Sequence, residues 1–187
     1  MKKIDSIGNV FFGVNHSPDK SGNIPLIQAG SINGRGDYSP EQNAFIHSEK
    51  LSGKEYLQAG DLLFAAKGVN NFPYVVKEED LPATASSIFF VIRVDIKQIL
   101  PEFLAWYLKT KKAKHWIGIN SEGSTINSIS IKEFRQFKVP VPEIDIQEKV
   151  IRLHLLQGRY KSKVTHLLEN IDLVNEEISK QLIKQYG

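Results

Sequence analysis

From Val150 onward, one side of this chain is apolar at alternating steps of three and four residues. The series runs Val150, Leu153, Gln157, Tyr160, Val164, Leu167, Ile171, Val174, Ile178 and Gln181. No proline interrupts it, and Gly158 is the only glycine inside it. That is an a/d seam held for more than four heptads, the pattern of a helix lying against another helix. About 40 helical residues at 1.5 Å each extend roughly 60 Å, more than one small domain can cover. Gln157 and Gln181 place polar groups in the seam, while Leu156, Leu168 and Leu182 widen it beyond two positions in seven. A stripe of that width suits more than one neighbour. The expectation is pairing with a second long helix, from another copy or another protein. The alternative is a helix folded back on its own domain.

The helical pattern has a sharp start. Pro140 and Pro142 close the preceding segment, and Asp145 followed three residues later by Glu148 predicts a capping box. Before Pro142 the patterning is mixed. IPLIQA, within residues 21–40, is a short apolar run between Gly-, Ser- and Asn-rich turns. GDLLFAAKG (60–68) is a turn, a buried strand and a glycine stop; PYVVKE (73–78) and SSIFFVIRVD (86–95) add two further strands. Pro101 then suits the first turn of a helix, PEFLAWYLKTKKAKHW, with Phe103, Leu104, Tyr107 and Leu108 on one face. FKVPVP is a final short edge strand, because proline cannot donate to a ladder. The chain therefore reads as α+β. A mixed, β-rich domain over residues 1–142 precedes a long coiled-coil-forming helix over 143–187.

Composition bounds the function without naming it. At 187 residues, 41% hydrophobic and 24% charged, the chain has the make-up of a soluble globular protein. No apolar run approaches the roughly 18 residues of a membrane span, and MKKIDSIGNVFFG is too short in apolar residues for a signal peptide. Zero cysteines exclude disulfides and thiolate metal sites and fit a reducing compartment, so the cytoplasm is expected. A net charge of +3 does not by itself identify a nucleic-acid binder. Seven of the 24 Lys and Arg and seven of the 21 Asp and Glu lie in 143–187, so the excess falls in the first part. Lys109, Lys111, Lys112 and Lys114 cluster there. Such a cluster is either a solvated helix end, where cations suit the dipole, or a phosphate contact.

Catalytic signatures are missing. There is no P-loop, no G-x-G-x-x-G and no Asn-Pro-Pro-Tyr-like methyl-transfer motif. His16, His47, His115, His154 and His166 have no metal-ligand spacing. Asp95-Ile-Lys97, at the end of an apolar strand, has the acid-x-Lys form used by metal-dependent nucleases, with Asp19 as a distant partner. Arg35-Gly36-Asp37 reads as a turn. No catalytic residue and no metal ligand is assigned.

One order of motifs carries more information than any single one. GDLLFAAKG is followed by a β-rich segment, LPEFLAWYLKT, then GSTINSISIKEFRQFKVPVPEIDIQEKVI and the long helix. This order resembles the specificity (S) subunits of type I restriction–modification systems, over roughly residues 21–155. In that family a Gly-Asp-(Ile/Leu)-Leu strand precedes a Pro-led helix near a Tyr-Leu pair. A Gly-Ser/Thr segment, a short helix and a Pro-x-Pro follow. The resemblance implies a target recognition domain followed by a conserved spacer helix. A full subunit has two of each, whereas this chain has one, so it is similar to a half subunit. It implies no cofactor on this chain, with S-adenosylmethionine, ATP and Mg on methyltransferase (M) and restriction (R) partner subunits. It also implies double-stranded DNA as a partner; the uncovered seam and the single recognition domain predict an antiparallel second copy, and no membrane partner is expected.

The residue types argue the same way. Lys67, Asn70 and Asn71 follow the buried run LLFAA, where the chain leaves the core; Asn can pair with adenine, and Lys can reach guanine or phosphate. A polar hairpin turn is the alternative. Arg35 and Tyr38 in the glycine-rich turn, and Lys112 and Lys114 in the basic cluster, are further DNA-contact candidates. Ser124, Thr125 and Asn127 either contact DNA or cap a short helix after Ser130. Val150, Leu153, Tyr160, Val164, Leu167, Ile171, Val174 and Ile178 are the candidate dimer interface. Two other functions stay open: a small metal-dependent nuclease using Asp95 and Lys97, and a coiled-coil adaptor without DNA binding.

Overall fold

A computed structural model describes residues 1–33, 36–66, 72–121 and 128–186. It separates into two compact units, Met1–Glu148 and Lys149–Gly187, with the division inside the last helix. No described helix is long and apolar enough to cross a membrane.

In the first unit the strands are β1 (Lys2–Lys3), β2 (Gly8–Phe12), β3 (Ile24–Ile27), β4 (Ala44–Ile46), β5 (Leu62–Ala65), β6 (Pro73–Val75), β7 (Thr84–Ala85) and β8 (Phe89–Val94). Three helices follow, α1 (Pro101–Leu108), α2 (Lys111–Asn120) and α3 (Ile131–Arg135), then β9 (Lys138–Val139). The last helix, α4, runs Ile144–Tyr186. The main sheet is antiparallel in the order β2-β8-β5-β6. Its inner strand β5, Leu-Leu-Phe-Ala, is buried at every residue, which is why it reads as a continuous apolar run rather than an alternation. β4-β3-β7 forms a second sheet, with β3 and β7 parallel. β1 pairs with β9, so the expected edge strand is present but shorter than FKVPVP: it stops at Val139, and Pro140 and Pro142 lie beyond the ladder, to which proline cannot donate.

Helix α3 closes one face of the main sheet. Its Phe134 ring lies 4.8 Å from Phe64 on β5 and 5.1 Å from Phe90 on β8, and all three are fully buried. At the turn before β5, Asp61 is 1% exposed and takes a two-pronged bond from Arg93, at 2.8 and 2.6 Å. That pair locks β5 to β8 with geometry suited to the guanidinium fork. The expected helix face holds, since Phe103, Leu104, Tyr107 and Leu108 are all buried.

Two expectations about helices are overturned. The segment PEFLAWYLKTKKAKHW is two helices, not one. Thr110 leaves helical geometry, and its hydroxyl accepts from the backbone N–H of Ala113 as the cap of α2. Of the basic cluster, only Lys109 stands at a C-terminal helix end, as the C-cap of α1. Lys111, Lys112 and Lys114 sit in the opening turns of α2, which has no acidic residue in its first turn. Cations there oppose the dipole. The second correction concerns α4. Gln147 N–H donates to the carbonyl of Glu143, and helical residues begin at Ile144, so Asp145 lies within the first turn rather than at the cap. Its charge still faces the positive end of the helix.

Gln147 is the polar residue that seats this first turn. It is fully buried, accepts from Leu100 N–H at 2.9 Å, and donates to the carbonyls of Gln98 and Pro142 at 2.9 and 2.8 Å. One amide thus joins the chain before α1 to the start of α4. In the second unit, by contrast, every described side chain from Arg152 to Tyr186 is exposed.

Candidate nucleic-acid interface

Three loops of the first unit carry most of the candidate contacts, and their described flanks meet at one edge. The β5–β6 hairpin pairs Phe64 with Pro73, and Ala65 N–H donates to Phe72 across the same hairpin. Ala66, where the chain leaves β5, accepts from Ile129 N–H at 3.2 Å, just after the third loop. Gly36, after the first loop, completes the junction. A Cβ placed on it would meet the Pro73 carbonyl at 3.3 Å and Lys109 Nζ at 3.5 Å. Gly36 also has φ +89°, a conformation that glycine adopts freely.

The first loop is closed by a tight frame. Asn33 N–H donates to the Asp37 carbonyl, Gly36 N–H donates to the Asn33 carbonyl, and the Asn33 side-chain amide donates to the Asp37 carboxylate at 2.9 Å and accepts from the Asp37 backbone N–H at 3.0 Å. Tyr38 lies directly behind. Its hydroxyl accepts from the Asn43 amide, and its ring is 5.4 Å from Tyr74. Desolvation raises the Tyr38 pKa above the usual phenol value. Tyr74 in turn donates to Asp80 at 2.6 Å. Tyr38 is thus half-buried and engaged, a support for the loop. Arg35, Lys67, Asn70, Asn71, Ser124, Thr125 and Asn127 lie outside the described residues.

Cationic groups border this edge. Desolvation is the largest influence on Lys109 and lowers its ammonium pKa; Asp37 opposes the shift and Lys114 adds to it. Lys109, Lys114 and the Asp37 loop therefore share one electrostatic neighbourhood. Lys112 does not belong to it. Two residues along a helix are roughly 200° apart around the axis, and Lys112 instead lines a cleft with Trp116 and Phe137. Lys109 was visible in the sequence as part of the cluster; its place beside Gly36 was not.

Other expectations find their places. The cap of α3 is Ser130 itself, whose hydroxyl accepts from Glu133 N–H while the Glu133 carboxylate takes the Ser130 hydroxyl and N–H. The cap position open to Ser124, Thr125 or Asn127 is thus filled. Both Asp95 carboxylate oxygens are engaged in their own turn, by Lys97 N–H and the Gln98 amide, and these bonds lower its pKa. Asp19 accepts from Ser21 and sits 3.3 Å from His47; chiefly its Ser21 bonds hold its pKa down at about 2. Among the described residues no cluster of three or more His, Asp or Glu could hold a metal ion.

A family model for the type I restriction modification DNA specificity domain matches residues 3–155. The chain belongs to that family. The matched span covers the first unit from Lys3 onward and the opening of the second. Solved structures share the fold of this specificity domain. The HsdS subunit from Thermoanaerobacter tengcongensis matches with a TM-score of 0.65 at 14% identity, over 86% of this chain and 42% of that one. A chain from a structure of type I R-M complex assembly and conformational transition matches with a TM-score of 0.66, at 14% identity over 86% and 42%. The S subunit from M. genitalium matches at 0.58 and 13% identity, over 86% and 39%. At these identities the likeness is one of fold. This chain spans about two fifths of their length. No curated protein sequence matches it.

Proposed function

We propose that this specificity domain reads one half of a bipartite DNA site and is completed by a second copy of itself, paired antiparallel through α4. The observation that carries the reading is the bare seam. Leu153, Tyr160, Val164, Leu167, Ile171, Val174 and Ile178 are 46–68% exposed along one side of the second unit. An apolar stripe of that length marks an interaction surface.

Charge favours the antiparallel arrangement. Lys149, Arg152, Arg159, Lys161 and Lys163 occur with no acidic residue up to Leu168; Glu169, Asp172, Glu176 and Glu177 then outweigh Lys180 and Lys184. Two copies running in opposite directions set the basic half of one beside the acidic half of the other. Parallel copies set like against like, which opposes pairing. A closed twofold pair uses the same patch on both partners, and its symmetry asks for an inverted repeat in the DNA.

In this reading Lys67, Asn70, Asn71, Arg35, Ser124, Thr125 and Asn127 reach bases and phosphates from the edge where their flanks converge, with Lys109 and Lys114 adding phosphate contacts. The chain is a non-catalytic subunit. A methyltransferase subunit carrying S-adenosylmethionine and a restriction subunit using ATP and Mg supply the chemistry. Light scattering on the purified chain at tens of micromolar tests the pairing, because a pair with Kd about 1 μM (roughly −8 kcal/mol) is assembled there. A dimer mass is expected. A monomer assigns the seam to a different protein. Cleavage of DNA by the pure chain with Mg favours the nuclease reading instead, and failure to bind any duplex at low salt favours the adaptor.

A further inference from the structure

The cleft that takes Lys112 away from the DNA-facing edge has a chemistry of its own. Its volume is about 540 Å³. The floor is aromatic: half-buried Trp116 packs 4.7 Å from Phe137, itself 5.9 Å from Tyr107. Because Phe137 and Tyr107 are buried, the open apolar surface there is that of Trp116. Ile119, 56% exposed, extends this apolar surface. On the rim stand Lys112, His115 and Lys138, all exposed, and among the described residues no carboxylate lines the cleft. The N-terminal end of α2, with no acidic residue in its first turn, adds to the positive potential.

Double-stranded DNA does not fit that combination well. A duplex presents phosphates and base edges while its aromatic faces stay stacked inside, so it leaves the apolar floor in water. A side chain of leucine size covers the floor and removes its surface from water, and flanking carboxylates meet the rim. We propose that this cleft docks a segment of a partner subunit, an aliphatic side chain between Asp or Glu residues. The proposal rests on the reading of the chain as one subunit of a larger complex. It gives the first unit a protein-binding face separate from the three convergent loops.

The test uses the full chain labelled with ¹⁵N, with the Trp116 indole signal assigned by Trp116→Phe. The probe is an acetylated, amidated peptide of two leucines flanked by glutamates; the controls are its lysine counterpart and a short duplex. The glutamate peptide is expected to shift the Trp116 signal saturably. Ile119→Asp or Lys138→Glu should weaken it at least tenfold while duplex affinity, measured by anisotropy, stays unchanged. No shift at millimolar peptide, or equal binding of the lysine peptide, overturns the proposal. A Trp116 shift caused by the duplex overturns it too, by giving the cleft to the DNA interface. In each of these cases the dimer mass and duplex affinity still report separately on the half-site reading.

Discussion

Replacing Gln147 by Ala should loosen the start of α4 more than any other single change of a polar residue there. The side chain is fully buried and makes three bonds of 2.8–2.9 Å, each to the backbone. At a net of about 1 kcal/mol per bond the loss is roughly 3 kcal/mol. The stranded groups raise it, since an unpaired buried N–H or carbonyl costs about 1–3 kcal/mol. Water lowers it again, because Leu100, Gln98 and Pro142 are only half-buried and can be rehydrated. The expected cost is about 2–4 kcal/mol, or roughly 5–15 °C in melting temperature for a domain of this size. Thermal unfolding followed by tryptophan fluorescence measures it, because Trp106 and Trp116 both lie in the first unit. Gln147→Glu is the informative companion. It still accepts from Leu100 N–H but turns an oxygen toward two carbonyls, so it should not rescue stability at neutral pH. A loss below about 1 kcal/mol for Gln147→Ala, or full stability in Gln147→Glu, would refute the reasoning.

Three further outcomes are expected. Leu167→Asp with Ile171→Asp sets four carboxylates in the seam of a twofold pair, so light scattering should find monomers at concentrations where the unchanged chain is dimeric, and half-site affinity should fall at least tenfold. Lys67→Ala and Lys114→Ala should each weaken binding uniformly across sequences and reduce the slope of log affinity against log salt by about one, as a lost phosphate contact does; unchanged affinity and slope mean no contact. Thr125→Ala should lower DNA affinity with no change in melting temperature, whereas Ser130→Ala, which removes the cap of α3, should cost about 1 kcal/mol of stability and leave affinity intact. The reverse pattern would move the cap to Thr125.

The elements legible in the sequence were those whose side chains all answer to one force. β5 and the first four residues of β8, Phe89–Ile92, show as unbroken apolar runs because they are buried in the main sheet, and the α4 seam shows because nothing but helical spacing sets it. The break between α1 and α2 was hidden, since Lys-Thr-Lys-Lys contains neither glycine nor proline and a threonine cap looks like any exposed threonine. The short strands β2 and β4 were also missed; their placement depends on partners far along the chain, Phe90–Val94 and Ile24–Leu26. Gln147 was the least visible of all. A glutamine near a helix start suggests solvent, and only the meeting of Gln98, Leu100 and Pro142 around it makes it a core residue. At the candidate interface, residue type pointed to the three loops, while their convergence follows from pairings at Pro73, Ala66 and Gly36 that sequence spacing does not encode.

The central claim, that two identical readers are held by paired helices, is tested most directly by mapping methylated bases in DNA from a host that expresses this chain as its only specificity chain together with a type I methyltransferase subunit. The account predicts one interrupted motif whose two halves are inverted repeats of each other, abolished by the Leu167→Asp, Ile171→Asp pair. A motif with two different halves, or a single uninterrupted one, would contradict it.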